Sequence, residues 1–274
     1  RIASVIAPDG GSGVTLDSGS SASKGIALTM SSMAFVQGQV TLSGANAVGV
    51  DALAALTATL TINQGGALAF TALNQVGNVR LNAGTATITS IDFSTVSTGG
   101  VIETAANQLI DGTLAGAVNL GKLDLPPTVD LAKATSIIAG GAPNGVEINA
   151  PLASSVDLVD TTAFECTGTM SITALGHITV NVKSITGTLT IESTGGNIAL
   201  NDLTSAGNTA LTASGTVHAA ITSNASGTVA SGTEVHLAAL ATNSSALTIT
   251  AGAIDLTALA TNNASVTINT ATTV

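Results

Sequence analysis

The sequence predicts an all-β fold, a single parallel β-solenoid (a β-helix), and three features of the chain predict it. The first is a loose repeat of about nineteen residues. IDLTALATNNASVTIN at 254–269 echoes VHLAALATNSSALTIT at 235–250, and VHAAITSNASGTVAS and IALNDLTSAGNTALTAS precede them at 217–231 and 198–214. These units open at Ile198, Val217, Val235 and Ile254, spaced 19, 18 and 19 residues apart. A period of that length marks stacked units, each burying its apolar face on its neighbours. The second feature is period-two alternation inside each unit, broken by Asn, Ser, Gly and Thr, which reads as half-buried strands joined by tight turns. The third is composition: 274 residues with no Trp or Tyr, four Phe, and abundant Ala and Thr. A narrow coil has little room, and Ala fits it.

Each element follows from that frame. Within a rung, Ile254, Leu256 and Leu259 are apolar around Asp255 and Thr257, and Val266-Thr267-Ile268 begins twelve residues after Ile254. The same offset of twelve leads from Val235 to Leu247 and from Val217 to Val229. Two strands per rung, wound into a coil, place each strand about 4.8 Å from its equivalents. Upstream, residues 178–193 keep both strands with a shorter turn, 50–65 and 67–84 fit well, and 90–104 and 128–140 fit with altered turns. Pro126, Pro127, Pro143 and Pro151 gather in 120–152. Pro donates nothing to an interior ladder, so that stretch is expected to hold wide turns. The expected organisation is an N-terminal strand and capping or assembly segment at 1–40, then one solenoid over 41–274.

Charge narrows the partners. The chain carries 16 acidic and six basic residues, a net charge of −10, and only 8% charged residues, where ordinary domains have about 25%. That balance leaves no basic footprint for nucleic acid or an anionic membrane surface. No apolar run approaches the roughly eighteen residues of a membrane span. Cys166 is the single cysteine, so it builds neither a disulfide framework nor a zinc motif, and a buried small apolar role suits it.

Stacking makes columns visible. The residue after the first apolar position of a rung is Asp51, Asp92, Asp130, Asp157, His218, His236 or Asp255. Such a column faces outward, and His218, His236 and Asp255 are expected in consecutive rungs, near enough to share a divalent cation. No motif supports a cofactor, and a cation such as calcium has no loop signature here. A second column, Asn208, Asn224, Asn243 and Asn263, is expected in the turn between the two strands. Asn224, Asn243 and Asn263 are glycosylation acceptors by pattern, although Asn also suits turns for its own backbone-capping chemistry. A third column, read as Thr61, Arg80, Thr190, Leu211, Ala230, Thr248 and Thr267, tests an ice-binding face. Arg80 and the missing threonines count against a flat one. Enzyme chemistry has little to work with. The near acidic pairs, Asp157 with Asp160 and Asp124 with Asp130, have no basic or aromatic neighbour to shape a sugar site, and no nucleophile elbow or phosphate loop occurs.

The unit apolar-D/H-L-x-x-L-A-T-N-x-S-x-L-T-I, as at 254–268, resembles the degenerate leucine-rich or receptor-L-domain-like solenoid repeats of large bacterial surface proteins and adhesins. The similarity covers roughly residues 40–274. The chain departs from leucine-rich repeats in lacking helix-forming segments and a strict Leu/Asn ladder, which favours an all-β coil over a horseshoe. The resemblance implies surface location and adhesive or matrix roles, and it supplies no catalytic residues.

The ends set the last expectation. SVTINTATTV at 265–274 keeps a strand pattern without charge or Pro, and RIASVIA at 1–7 is a short apolar strand candidate. Arg1, Ile2, Val5 and Ile6 at one end, and Val266 and Ile268 at the other, are the expected assembly residues. The sequence therefore points to a secreted or cell-surface structural or adhesive protein that is not an enzyme. Its expected partners are itself, end to end, and other surface or matrix components, with neither nucleic acid nor membrane insertion. The alternative is an ice-binding solenoid.

Overall fold

The computed structural model of the protein describes strand residues between 14 and 119, residues 124–125 and 128–130, and residues 133–270 apart from 159–162 and 205. Among them every pairing is parallel and no helix occurs. Contacts divide the chain into two units, 1–140 and 141–274.

In the first unit, Val14–Asp17, Val40–Gly44, Ala55–Gln64, Gln75–Leu81 and Ile102–Thr104 build one ladder. Gly66–Ala69, Ile88–Asp92, Ala115–Asn119 and Lys133–Ala139 build another. Gln108–Leu109 pairs separately with Thr128–Asp130. Asp92 and Asp130 thus lie in different ladders, which corrects their expected place in one column. Short-range alternation looks alike on every strand of a rung and does not say which ladder a strand joins. Register slips beside Leu56, Gly66 and Gly116 mark this unit as the less regular one.

The second unit is a parallel β-solenoid of about seven turns. Its longer ladder runs Val146–Ala150, Met170–Ala174, Leu189–Ser193, Thr209–Ala213, Thr228–Ser231, Leu247–Thr250 and Val266–Asn269. Facing it, Ser155–Leu158, His177–Ile185, Ile198–Asn201, Thr216–Ala219, Glu234–His236 and Ala253–Asp255 form the second ladder. A short third ladder, Ser223–Asn224, Thr242–Asn243 and Thr261–Asn262, closes the last turns. The openings of the repeat, Ile198, Val217, Val235 and Ile254, lie opposite one another, as the period requires.

The core is a set of columns. Ile148, Ile172, Ile191, Leu211, Ala230 and Ile249 stack in register at 0–1% exposure, and Val156, Ile178, Ile198, Val217 and Val235 do so on the other ladder. A third column, Ala150, Ala174, Ser193 and Ala213, stays small where the chain turns. Ser193 is admitted there because its hydroxyl donates to the Gly176 carbonyl (2.6 Å) and accepts from the Gly196 N–H (3.0 Å), as a buried polar group must.

Turn length departs from the sequence reading. The strand partner of Leu247 is Thr228, not Val229, so the offset from Val217 is eleven residues, as it is from Ile178 to Leu189 and Ile198 to Thr209. Among the described rungs of the second unit, only those opening at Val235 and Ile254 use twelve. Their extra residue sits in tight turns where the Leu240 N–H donates to the Leu237 carbonyl (2.9 Å) and Leu259 to Leu256 (3.0 Å). A one-residue slip reverses the faces. Leu211 and Ala230 are therefore core residues at 0% exposure, and Val229 points out at 50%.

Pro143 and Pro151 flank the strand Val146–Ala150 in turns, as expected; Pro126 and Pro127 lie outside the described residues. The Pro143 carbonyl accepts from both the N–H (2.8 Å) and the hydroxyl (3.0 Å) of Thr167 in the next turn. Gly145 holds φ +83° in the first of these turns, a conformation that L side chains rarely adopt. At Gly176 a Cβ would run into the Ser154 backbone, so the turns stack only because that position is bare.

This register makes a sharp contrast between neighbouring apolar positions. Leu211→Ala should cost about 2–5 kcal/mol of stability, and Val229→Ala should stay within about 0.5 kcal/mol. Urea midpoints of the two variants check it, and equal losses would put Val229 back in the core.

Candidate functional site: an outward histidine column and a buried asparagine ladder

The outward column of the second ladder is built by alternation: each member follows an inward Ile or Val. Among the described residues of the second unit it runs Asp157, Thr179, Ala199, His218, His236 and Asp255. His218, His236 and Asp255 do fall in consecutive rungs. The two imidazoles stack face to face, centroids 4.4 Å apart and planes 8° from parallel. His236 Nε2 lies 3.2 Å from Glu234 Oε2, and its Nδ1 lies 3.9 Å from Asp255 Oδ2. Asp255 Oδ1 accepts the Thr257 N–H (2.9 Å). That bond first, then the Thr257 hydroxyl, hold the Asp255 carboxyl below its ordinary range; desolvation opposes them, and the nearby His236 adds to the lowering last. Beside the stack is a surface hollow of about 340 Å³, lined by Leu200, His218, Ala219, His236, Ala238 and Ala239. Among the described residues no three His, Cys, Asp or Glu side chains converge on one point. Parallel rings aim their nitrogens side by side and not at a common centre.

The asparagines are brought together differently from the sequence expectation. The ladder is Asn224, Asn243 and Asn262, not Asn263. Asn224 Nδ2 donates to Asn243 Oδ1 (2.6 Å), and Asn243 Nδ2 donates to Asn262 Oδ1 (2.7 Å). Asn224 also donates to the Ser245 and Ala246 carbonyls (2.9 and 3.1 Å) and accepts from the Gly227 N–H and the Thr228 hydroxyl (both 3.0 Å). Asn224 is 3% exposed and Asn243 is 0%. The nitrogen that would carry a glycan is thus the ladder donor in both, and a sugar there would displace the rung above. Asn263 is exposed and touches the ladder only through its N–H, donated to the Asn243 carbonyl (2.8 Å). Sequence reasoning chose Asn263 because consecutive asparagines give no local hint of which one turns inward. It also passed over Glu234, whose spacing of two from His236 puts both on one strand face.

The Thr column is likewise shifted. In register it reads Glu147, Ser171, Thr190, Ala210, Val229, Thr248 and Thr267 in the second unit, and Thr15, Thr41, Thr61, Arg80 and Glu103 in the first. Cys166 is buried, its thiol 3.6 Å from the Gly168 carbonyl. The His177 Nδ1 accepts the Asn197 N–H at 3.2 Å. Asp51, Asp160, Arg1, Ile2, Val5 and Ile6 lie outside the described residues. Val266 is half-buried and Ile268 is 53% exposed.

Fold and columns together define a β-solenoid whose polar chemistry is arranged by rung and not around a cleft. No protein-family model matches the chain, and comparison with curated proteins and with solved structures finds no match.

The asparagine ladder predicts a difference between neighbours. Asn243→Ala strands the Asn262 carbonyl and one Asn224 donor direction, and should cost about 1–3 kcal/mol. Asn263→Ala should stay within about 0.5 kcal/mol. Thermal melts of both variants decide it; an Asn243→Ala protein as stable as the native one would remove the ladder from the stabilising interactions.

Proposed function

We propose that the protein is a non-catalytic structural or adhesive element, secreted or held at the cell surface, whose solenoid joins end to end into a filament or matrix fibre. The observation that carries this reading is the edge at the rung of Ala253–Asp255 and Val266–Asn269. Ile268 is 53% exposed, where every residue below it in the same column is at 0–1%. Asn262 accepts from Asn243, and its own amide donates to nothing among the described residues. One more rung in the same parallel register covers such an edge, whether the chain itself or a second copy supplies it. A second copy supplying it makes a head-to-tail contact, which propagates and does not close.

Other features support the same reading. Low charge in 265–274 puts little electrostatic resistance in the way of stacking, and the acidic balance of the chain disfavours nucleic acid and anionic membranes as partners. No helix among the described residues is long and apolar enough to cross a membrane. The finer likeness to leucine-rich or receptor-L-domain-like repeats of bacterial surface proteins draws support from the turns. Leu237 and Leu240 are buried, and Asn243 follows them in a hydrogen-bonded column. Other surface or matrix components are the expected further partners. An ice-binding role finds less support, because Ala210 and Val229 interrupt the hydroxyl column between Thr190 and Thr248.

The test joins sedimentation velocity to negative-stain microscopy on the native chain and on a Val266→Lys/Ile268→Lys double variant. Native protein should form concentration-dependent linear assemblies, and the variant should remain monomeric. A native monomer at high concentration, or unchanged filaments from the variant, would overturn the reading.

A further inference from the structure

A second hollow, also of about 340 Å³, lies on the outer face of the longer ladder, at the rungs of Thr209–Ala213 and Thr228–Ser231. It forms where the outward column loses its hydroxyls: Thr190 and Thr248 carry them, and Ala210 and Val229 between the two do not. Those two residues and Ala246 give the hollow an apolar floor, with Val229 50% exposed in it. Its rim is polar, with Asn208, Ser245 and Thr248 facing in, and no charged side chain lines it. Among the described residues none of these three side chains makes a hydrogen bond to protein. Thr209 and Thr228 beside them turn inward, and their hydroxyls are bonded to the Gly207 carbonyl and to Asn224. Gly227 keeps the space open. A methyl group there would lie 3.4 Å from Asn208 Oδ1 and 3.9 Å from Ser245 Oγ, and its φ of +113° is one that L side chains rarely adopt.

We propose that this hollow binds a neutral pyranose unit of a polysaccharide. The C–H face of the ring rests on Ala210, Val229 and Ala246, and its hydroxyls exchange hydrogen bonds with Asn208, Ser245 and Thr248, which supply both donors and acceptors. The volume falls in the range of about 300–1,000 Å³ that small-ligand sites occupy, and an apolar lining with a few polar groups is their usual chemistry. An ionised ligand would find no opposite charge on these walls and would lose water without return. A peptide strand fits less well. The Thr209 N–H donates to the Gly227 carbonyl (2.9 Å) and the Thr228 N–H to the Ala246 carbonyl (3.0 Å), so the backbone here is spent between rungs and has no edge to offer. The chain has no Trp or Tyr to stack on the ring, so a single unit binds weakly. Copies joined end to end would repeat the hollow along a filament, and linked sites raise avidity by about 10²–10⁴-fold. Only that gain rests on the proposed function; the single site does not.

The test titrates the full chain, native and with Val266→Lys/Ile268→Lys, against methyl glucoside, methyl galactoside, methyl mannoside and methyl N-acetylglucosaminide, following backbone amide resonances. At least one of the four should shift Ala210, Gly227, Val229 and Thr248 together and saturably in both proteins, and glucuronic acid should shift none of them. Asn208→Ala/Ser245→Ala should weaken the binding by about tenfold, and Val229→Asp, which puts a charge on the floor, should abolish it. These side chains point outward, so far-ultraviolet circular dichroism should match the native protein in every variant. No saturable shift with any of the four sugars would overturn the proposal. So would shifts confined to another face, equal binding of glucuronic acid, or folded variants that titrate like the native chain. Sugar binding by a chain that stays monomeric would leave this site standing and remove the filament; filaments that bind none of the sugars would do the reverse.

Discussion

Everything in the second unit depends on parallel strands stacking in register. Each rung takes its backbone partners from the rungs on either side, so one apolar side chain fixes the position of its equivalents. The column from Ile148 to Ile249 stays dry only while no strand slips by a residue. Since a slip of one would expose the whole face, burial polices register more strictly than hydrogen bonding does, because the backbone bonds would form equally well one residue on. Position along the coil is therefore the variable that organises function too. Residues far apart in sequence become neighbours at a fixed spacing, and outward chemistry is set by which side chains share a column.

Much of this was legible in the sequence. The openings Ile198, Val217, Val235 and Ile254 show their spacing and their apolar character together, and they became one inward column. His218, His236 and Asp255 were legible for the same reason: each follows one of those openings. The limits are equally physical. In Thr228-Val229-Ala230-Ser231 the larger apolar residue faces water and a threonine faces the core, so hydrophobicity alone chose the wrong face. Thr228 is tolerated inside because its hydroxyl finds Asn224, a partner that only the fold supplies. The Asn262/Asn263 choice failed in the same way, since ladder membership is decided by the rung below. Ladder assignment in the first unit, where Asp92 and Asp130 separate, needed pairing information that alternation does not carry.

Polar groups inside and outside the coil obey different rules. Within, Asn224 and Asn243 are held by one another and by carbonyls, so their chemistry is spent on cohesion. Outside, His236 is flanked by two carboxylates and stacked on a second ring, with solvent on one side. An interior ladder is indifferent to what the solution contains. An exterior column is where the solenoid meets the solution around it.

The added residue at the Leu237–Leu240 turn bears on how such a chain can change over generations. The turn lengthens by one, yet the ladders on both sides keep their partners. Insertions and deletions are absorbed privately within one corner of one coil, so a copying error that duplicates or removes a whole rung yields a chain that still winds. Length can then drift by cassettes while the cross-section stays fixed, and 235–250 and 254–269 are two such cassettes of equal length.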